Sequence, residues 1–451
     1  MNPSLEVLEK YGLVADEDSF RVLEFGRKTA VKLHRELWEL VFSRQQEPIS
    51  DNASTDPFSF LASASMRGQS TCSSPFCRLQ KLDFLARYTA LYANKVLFPL
   101  PLSHPSKVDT VAEYRDELAQ TALILLRLRT LIDAGMVVPV VMRSIHCTHM
   151  IRWVREMTSL IHEIADDATL EIQKHFHVMY QTADKAPTGR ATVHVEGPED
   201  FLEHGGGVLL VNNERMWRPK KGKPDRDGNM QIRGPMKLLA IREMLDHIAN
   251  DTTFYLAYGR SQNVRYLTDR PGETFFLDCF NNDEELAASS AAMNAYLTHS
   301  LPLLGDLSIA TLLRIRREER DSFLRYRSAV ELILSDIINK KKRVGKREMQ
   351  ELFRERIEPQ LLRMKSELHQ EGGRQRRRIL GGIGTLAATV ALGAFGGVLP
   401  VLAKGAAVAA GSIVGGRLLS KAAEATCEHG AALKEQSDFY FLLRLCQEAA
   451  Q

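Results

Sequence analysis

Two cysteine-bearing knuckles are the residues best equipped for chemistry. Cys72 and Cys77 stand four residues apart in Cys-Ser-Ser-Pro-Phe-Cys, and His146-Cys147-Thr148-His149 follows between a strand-like run and a helix start. Thiolates and imidazoles from two such knuckles suit a tetrahedral zinc site. Its ligands would be Cys72, Cys77, Cys147 and His149, with His146 as the alternative fourth. The 69 residues from Cys77 to His146 and the unusual second spacing keep a plainer reading open, that of unconnected thiols and a helix-start histidine. No other cofactor is expected.

A second chemical feature is a basic loop over residues 215–233. It holds Arg215, Arg218, Lys220, Lys221, Lys223, Arg226 and Arg233, with Trp217 among them and Pro219, Gly222, Pro224 and Gly228 keeping it irregular. Cations with one aromatic suit phosphate gripping and base stacking, so nucleic acid is a candidate partner. Asp225 and Asp227 dilute the charge, and a solvated surface loop is the competing reading. Lys340, Lys341, Lys342, Arg343, Lys346 and Arg347 form another basic run, suited to nucleic acid or acidic lipid or simply to a solvated helix end.

Signatures that would fix a reaction are missing. Gly222-Lys223-Pro224 and Gly345-Lys346-Arg347 lack the upstream Gly and the Ser/Thr of a P-loop, and no G-x-S-x-G occurs. His162-Glu163 has no second His four residues after the first, so it is not a zincin helix. His175 and His177 would not share a helix face. Gly205-Gly206-Gly207 precedes a strand-like run, the wrong order for a dinucleotide fold. Asp166, Asp167 and Glu171 suit Mg2+ or, on so charged a helix, a solvated face. The reading leans away from an enzyme.

These residues need a scaffold, and the composition supplies an ordinary globular one: 451 residues, 44% hydrophobic, 25% charged, net charge +3. That excludes disordered, collagenous and wholly membrane-embedded classes. Six cysteines are too sparse for a disulfide framework, so reduced thiols are expected. Residues 1–9 lack a basic segment followed by an apolar one, which leads to an expectation of cytoplasmic location.

Apolar periodicity predicts helices over 4–11, 19–44, 79–93, 106–134 and 148–183, with a mobile loop or boundary over 45–71. Residues 98–102 and 136–142 read as extended. The composition shifts near Pro187. Runs at 191–196, 207–211, 253–257, 264–268 and 273–278 read as strands around a helix carrying Leu238, Leu239, Ile241 and Leu245. Helices return at 283–297, at 308–342 behind Ser308 as N-cap, with Leu312, Ile315, Phe323, Ala329 and Leu332 as the buried stripe, and at 347–370. The expected fold is mainly α, with a small α/β module in the middle and a Gly/Ala-rich hydrophobic helical hairpin near the C-terminus. Its parts are residues 1–185, 188–285, 286–372, the hairpin 379–416, and a last helix in 417–451.

The hairpin segment stands apart. Residues 379–403 hold no charge, and Arg374, Arg376, Arg377 and Arg378 precede them. About 20 helical residues cross a hydrocarbon core of about 30 Å, and a basic flank fits the cytoplasmic side. Gly393 and Gly397, like Gly411 and Gly415, are spaced for close helix packing, while Pro400 and Lys404 divide the run in two. Six Gly and five Ala among those residues make it weakly apolar, so a hairpin buried in a soluble core competes with insertion into lipid, stable or triggered. Membrane lipid or self-association through the hairpin are the implied partners, with the inner membrane as a second location; protein partners are unassigned.

Three phrases carry a resemblance: residues 88–96 (Tyr-Thr-Ala-Leu-Tyr-Ala-Asn-Lys-Val), 301–308 leading into Leu312-Leu313-Arg314-Ile315-Arg316, and 438–445 (Asp-Phe-Tyr-Phe-Leu-Leu-Arg-Leu) after the Gly/Ala segment. Together the chain resembles a group of bacterial cytoplasmic proteins of similar length with no assigned activity. The resemblance implies a bacterial source and a shared fold, and it transfers no catalytic residue. In layout, a soluble body with a hydrophobic hairpin is similar to effectors of bacterial anti-phage defence. Two functions are therefore expected: a membrane-acting protein working through the hairpin, or a soluble nucleic-acid-binding protein or enzyme centred on 188–285 and its basic loop.

Overall fold

The structure is a computed structural model. It describes residues 2–44, 58–63, 75–142, 148–186, 190–198, 206–210, 214–220, 223–279, 307–339 and 440–449, with a few isolated positions besides. The described chain is mostly helical with small sheets, as the periodicity predicts. The segment 379–416, with Gly393, Gly397, Pro400, Gly411 and Gly415, lies outside the described residues, as do Arg374, Arg376, Arg377 and Arg378 and the basic run 340–347. No helix among the described residues is long and apolar enough to cross a membrane.

Residues 1–83 and 95–291 form one compact unit, and residues 84–94 and 292–451 a second. The first contains helices α1 (Pro3–Lys10) and α2 (Arg27–Arg44), then strand β1 (Ser59–Ala62), and helix α3 (Pro75–Leu91), whose last turns belong to the second unit. Strand β2 (Lys95–Pro99), helices α4 (Val111–Arg127) and α5 (Arg129–Asp133) and strand β3 (Val137–Val140) follow. Gly135, at φ +71°, ends the helical run where the sequence places its stop. Helix α6 (Thr148–Ile172), strands β4 (His177–Gln181), β5 (Thr192–Glu196) and β6 (Gly206–Leu210), helix α7 (Glu214–Trp217) and strand β7 (Asn229–Gln231) come next. Helix α8 (Pro235–Ser261), strand β8 (Arg265–Leu267) and helix α9 (Pro271–Cys279) complete the unit.

Two four-stranded sheets result, one in the order β3-β2-β1-β8 and one in the order β6-β5-β4-β7. The first is parallel throughout, with Phe60 opposite Val96 on one side and Arg265 on the other. Its strands β1 and β2 are buried almost end to end, as expected of a parallel sheet covered on both faces. Pro139 is tolerated because β3 is an edge strand. The second sheet is antiparallel and alternates: Val178, Tyr180, Val193 and Val195 are buried while His177 and Glu196 are exposed.

A single apolar core joins both sheets. Leu61, Leu97 and Val140 of the parallel sheet and Val178, Tyr180, Val193 and Val195 of the antiparallel one meet around Ile241, Leu245, Ala249 and Leu256 of α8. The expected boundary near residue 187 therefore runs through one unit, because β8 pairs with β1 across it. Three local expectations are also corrected. Strand β1 lies inside the presumed 45–71 loop; four residues buried on both faces leave no alternation to read. Residues 253–257 and 273–278, read as strands, lie in α8 and α9. Residues 252–253 and 255–259 of α8 are buried all round its circumference, which erases helical periodicity. The helix expected through 183 ends at Ile172, and Phe176 and the alternating β4 take over.

In the second unit, α10 (Ile309–Glu318) starts at Ser308, whose side chain accepts from the Thr311 amide at 3.1 Å, and α11 (Arg320–Asn339) follows a break at Glu319. Leu312, Ile315 and Phe323 of the expected stripe are buried, but beyond Phe323 the inward positions of α11 are Tyr326 and Val330 rather than Ala329 and Leu332, the latter 70% exposed. Phe441 and Leu445 of α12 (Tyr440–Ala449) are also buried, and Phe441 meets Phe323 edge-on with ring centroids 5.1 Å apart.

Candidate functional site

The order of the parallel sheet picks out one place. From the interior strand β1 the chain winds outward through α3 to β2 and on to β3. It then returns, after the antiparallel sheet and α8, to lay β8 on the other side of β1. The strand order thus reverses between the neighbours β1 and β8, and their carboxyl ends flank a topological switch point. That is where open α/β sheets hold ligands. The β1–β8 ladder runs to this edge, with the Ser63 amide donating to the Leu267 carbonyl at 2.8 Å.

The turn from β8 into α9 is built around Glu273, which is wholly buried. Its Oε2 accepts the phenol of Tyr266 at 2.6 Å and the hydroxyl of Thr268, and its Oε1 accepts from Arg270 Nη1 at 3.2 Å. The Thr268 hydroxyl in turn accepts the Arg270 amide at 3.1 Å, and the Tyr266 amide donates to Ser290 Oγ at 3.0 Å. Pro271 opens α9 without leaving an amide unsatisfied. Four side chains are thereby locked at the end of β8. Tyr266 is further fixed by stacking on Tyr255, with centroids 5.5 Å apart.

Arg270 also lies 3.5 Å from Asp251 of α8. On the facing side, Lys81 of α3 pairs with Asp269, the residue next to Arg270. The Lys81–Asp269 pair therefore bridges the helix that follows β1 and the turn that follows β8. Burial would depress the Arg270 guanidinium, but Glu273, Tyr266, Asp251 and Asp269 outweigh it and raise its pKa, so it stays charged. Burial raises the Glu273 carboxyl above its usual range against the pull of Arg270 and the two hydroxyls. Burial likewise lifts the Tyr266 phenol well above its ordinary value, reinforced by Glu273. The arrangement presents two cations, held in place by carboxylates, at the mouth of a parallel sheet. It suits an anionic group, with the carboxylates of Asp251 and Asp269 beside the cations as acceptors.

The residues singled out by sequence fare differently. Arg215, Arg218, Lys220 and Lys223 are exposed, and Lys221 lies outside the described residues. Trp217 is only 7% exposed and belongs to the core, so it is no platform for a base; the reason is α7, a single turn that points it inward. Cys72, Cys147 and His146 lie outside the described residues; Cys77 falls in α3, and His149 is exposed in the first turn of α6. No group of three or more His, Cys, Asp or Glu side chains among the described residues converges to hold a metal. Asp166 pairs with Arg242 at 3.0 Å, and His162 Nδ1 lies 3.0 Å from Asp246. His177 falls in β4, past the end of α6, so the helical spacing assumed for it and His175 does not apply.

Sequence reasoning missed Lys81, Thr268, Asp269, Arg270 and Glu273. Residues 269–272 fall between the runs 264–268 and 273–278, both of which read as strands. A proline at the first helical position, with an acid two residues on and a short apolar run before it, was the available signal for a strand-to-helix junction. Comparison with known protein families, with curated proteins and with solved structures finds no match for the chain.

Proposed function

We propose that the first unit binds a small phosphorylated ligand of nucleotide type at the carboxyl edge of its parallel sheet. The observation carrying this reading is the Lys81–Asp269 pair, with Arg270 beside it, at the β1–β8 switch point. Lys81 and Arg270 take the phosphate, and Asp251 and Asp269 accept from sugar hydroxyls. Calorimetric titration with adenine mononucleotides, dinucleotides and inorganic phosphate tests it. Binding by at least one nucleotide, lost in Arg270→Ala and Lys81→Ala proteins that still melt cooperatively, is the expected result. Absence of heat with every compound, or binding indifferent to both substitutions, overturns it.

A second reading concerns the charge-free 379–403 segment behind Arg374, Arg376, Arg377 and Arg378. We propose that it associates with membrane as a hairpin, in a bacterial protein of the defence-effector layout. What supports it is length, the basic flank and the paired glycines. Flotation with anionic vesicles should carry the full chain, and Gly393→Asp or Gly411→Asp should leave it at the bottom of the gradient. Full-length protein that never floats defeats this reading and leaves the nucleotide site untouched.

A further inference from the structure

We infer that the open face of the antiparallel sheet, together with the basic loop at its edge, binds single-stranded nucleic acid. This face is separate from the β1–β8 switch point and does not depend on what binds there. It also dispenses with Trp217 as the stacking group.

The register defines the face. Gln181 pairs with Thr192, Met179 with His194 and His177 with Glu196, while Gln231 and Asn229 of β7 pair with Met179 and Gln181. The opposite face, with Val178, Tyr180, Val193, Val195 and Met230, is sunk in the core against α8. What remains outward is a sheet surface of imidazole, amide and thioether groups, with the Glu196 carboxylate at the end of β5. His194 sits near its middle, half-buried, with Nε2 3.0 Å from the Thr192 hydroxyl and 3.3 Å from Gln181 Oε1. Those two contacts fix the ring plane. Burial lowers the pKa of this imidazole, which favours the neutral ring. An ordered aromatic ring flanked by amide side chains is what an unstacked base needs: a π-face and hydrogen-bonding edges.

The charge lies beside it. Residues 215–233 hold seven basic side chains against two acidic ones, in a chain whose net charge is only +3. Of the two acids, Asp225 is committed to its own turn, accepting the amides of Asp227 at 2.9 Å and Asn229 at 2.8 Å. Lys220, Lys223 and Arg226 are exposed and make no ion pair among the described residues. The loop is tied to the face, since the Thr182 amide donates to the Gly228 carbonyl at 3.2 Å and Gln181 Nε2 to the Asp227 carbonyl at 3.3 Å. The same Gln181 reaches His194. A polyanion with stackable bases matches both halves of this surface: phosphates on the loop, bases on the sheet.

Fluorescence anisotropy with labelled oligo-U and oligo-dT strands, on full-length protein over a salt series, tests the inference. Tight binding at low salt is expected. The charge-reversed protein Lys220→Glu/Lys223→Glu/Arg226→Glu should bind at least about ten-fold more weakly, with a log–log salt slope flatter by about two, since each contact to a single strand contributes about 0.7. His194→Ala should lose about ten-fold without changing that slope. Should it fail to fold, His194→Phe keeps an aromatic ring and should keep binding. Arg270→Ala should bind the strands as the parent does. Three results overturn the inference: no strand bound at low salt, the charge-reversed protein matching the parent in affinity and slope, or capture by anionic vesicles where the strands fail.

Discussion

Tyr266 and Glu273 face each other across the turn that joins a parallel strand to a helix, phenol to carboxylate at 2.6 Å, and both side chains are enclosed. A buried carboxylate is costly unless its lone pairs are met. Here three donors meet them: the Tyr266 phenol, the Thr268 hydroxyl and the Arg270 guanidinium. The arrangement fixes Arg270 at the sheet's carboxyl edge, so the cation is aimed by a network with little freedom to relax.

That network makes a pH-dependent prediction. Burial, outweighing Arg270 and the hydroxyls, raises the folded Glu273 pKa above its ordinary 4.5. Below the ordinary value the group is protonated in both states, and its contribution to stability is fully present. As pH rises past 4.5 the unfolded chain ionises first, and the contribution declines until the raised folded value is passed. Glu273→Gln cannot titrate. Its melting temperature relative to the parent should therefore become more favourable between pH 4 and pH 7, as read by scanning calorimetry. A difference that stays flat across that range would remove Glu273 as the titrating group.

Glu117 predicts the opposite slope. It accepts the Ser103 amide at 2.9 Å and hydroxyl at 2.6 Å, and its Oε2 lies 2.7 Å from Nε2 of the buried His34. Burial works to raise this carboxyl, but His34 and Ser103 together bring it below 4.5. Its contribution is present above the ordinary value and lost as pH falls through the lowered folded one. Glu117→Ala should cost about 1–3 kcal/mol at neutral pH by stranding its partners, and the gap to the parent should close in acid. Urea melts at pH 7 and pH 3 measure both.

The sequence displays some of this plainly and hides the rest for physical reasons. Amphipathic helices such as α6 and the Ser308-capped α10 carry their periodicity on the surface and are legible. The parallel sheet is not: β1 is four buried residues between loop-like stretches, and its partners lie 36 and 205 positions away along the chain. The strand-like 253–257 stretch is buried in α8 except at Phe254, and its aromatic and β-branched residues signal burial rather than strand. The candidate site follows the same rule. Lys81 and Asp269, 188 positions apart, meet only because of the strand order, and strand order has no local signature. Exposure is equally non-local, which is why Trp217 reads as a stacking group and proves to be core.

Trp217 separates folding from binding. Because it packs with the core around Tyr180 and Met230, Trp217→Ala should destabilise the first unit by about 3–5 kcal/mol, the range for large aromatic truncations. Trp217→Phe should recover most of that loss. Neither should change the salt slope of nucleic-acid binding in protein that remains folded. Denaturant melts alongside anisotropy distinguish the outcomes, and a folded Trp217→Phe protein that no longer binds would return the indole to the binding surface.

Arg316 Nη1 donates to the carbonyls of Thr89, Ala90 and Ala93 at 3.2, 3.1 and 2.8 Å, while its guanidinium lies 4.2 Å from the centre of the Phe323 ring. Carbonyls at a helix C-terminus have no intrahelical partner, and the helix dipole favours a cation there. Residues 89–93 and Arg316, which belong to two of the phrases that carry the resemblance, therefore meet in one capping interaction. Arg316→Lys keeps the charge but gives up the planar fork and the flat stacking surface, so it should rescue only part of what Arg316→Ala loses. The alanine protein should lose about 1–3 kcal/mol, as a charge-assisted bond to buried acceptors implies. The comparison is equilibrium unfolding of the three proteins side by side. A lysine protein as stable as the parent would mean that charge alone caps the helix, and an alanine protein as stable as the parent would mean that the cap contributes nothing.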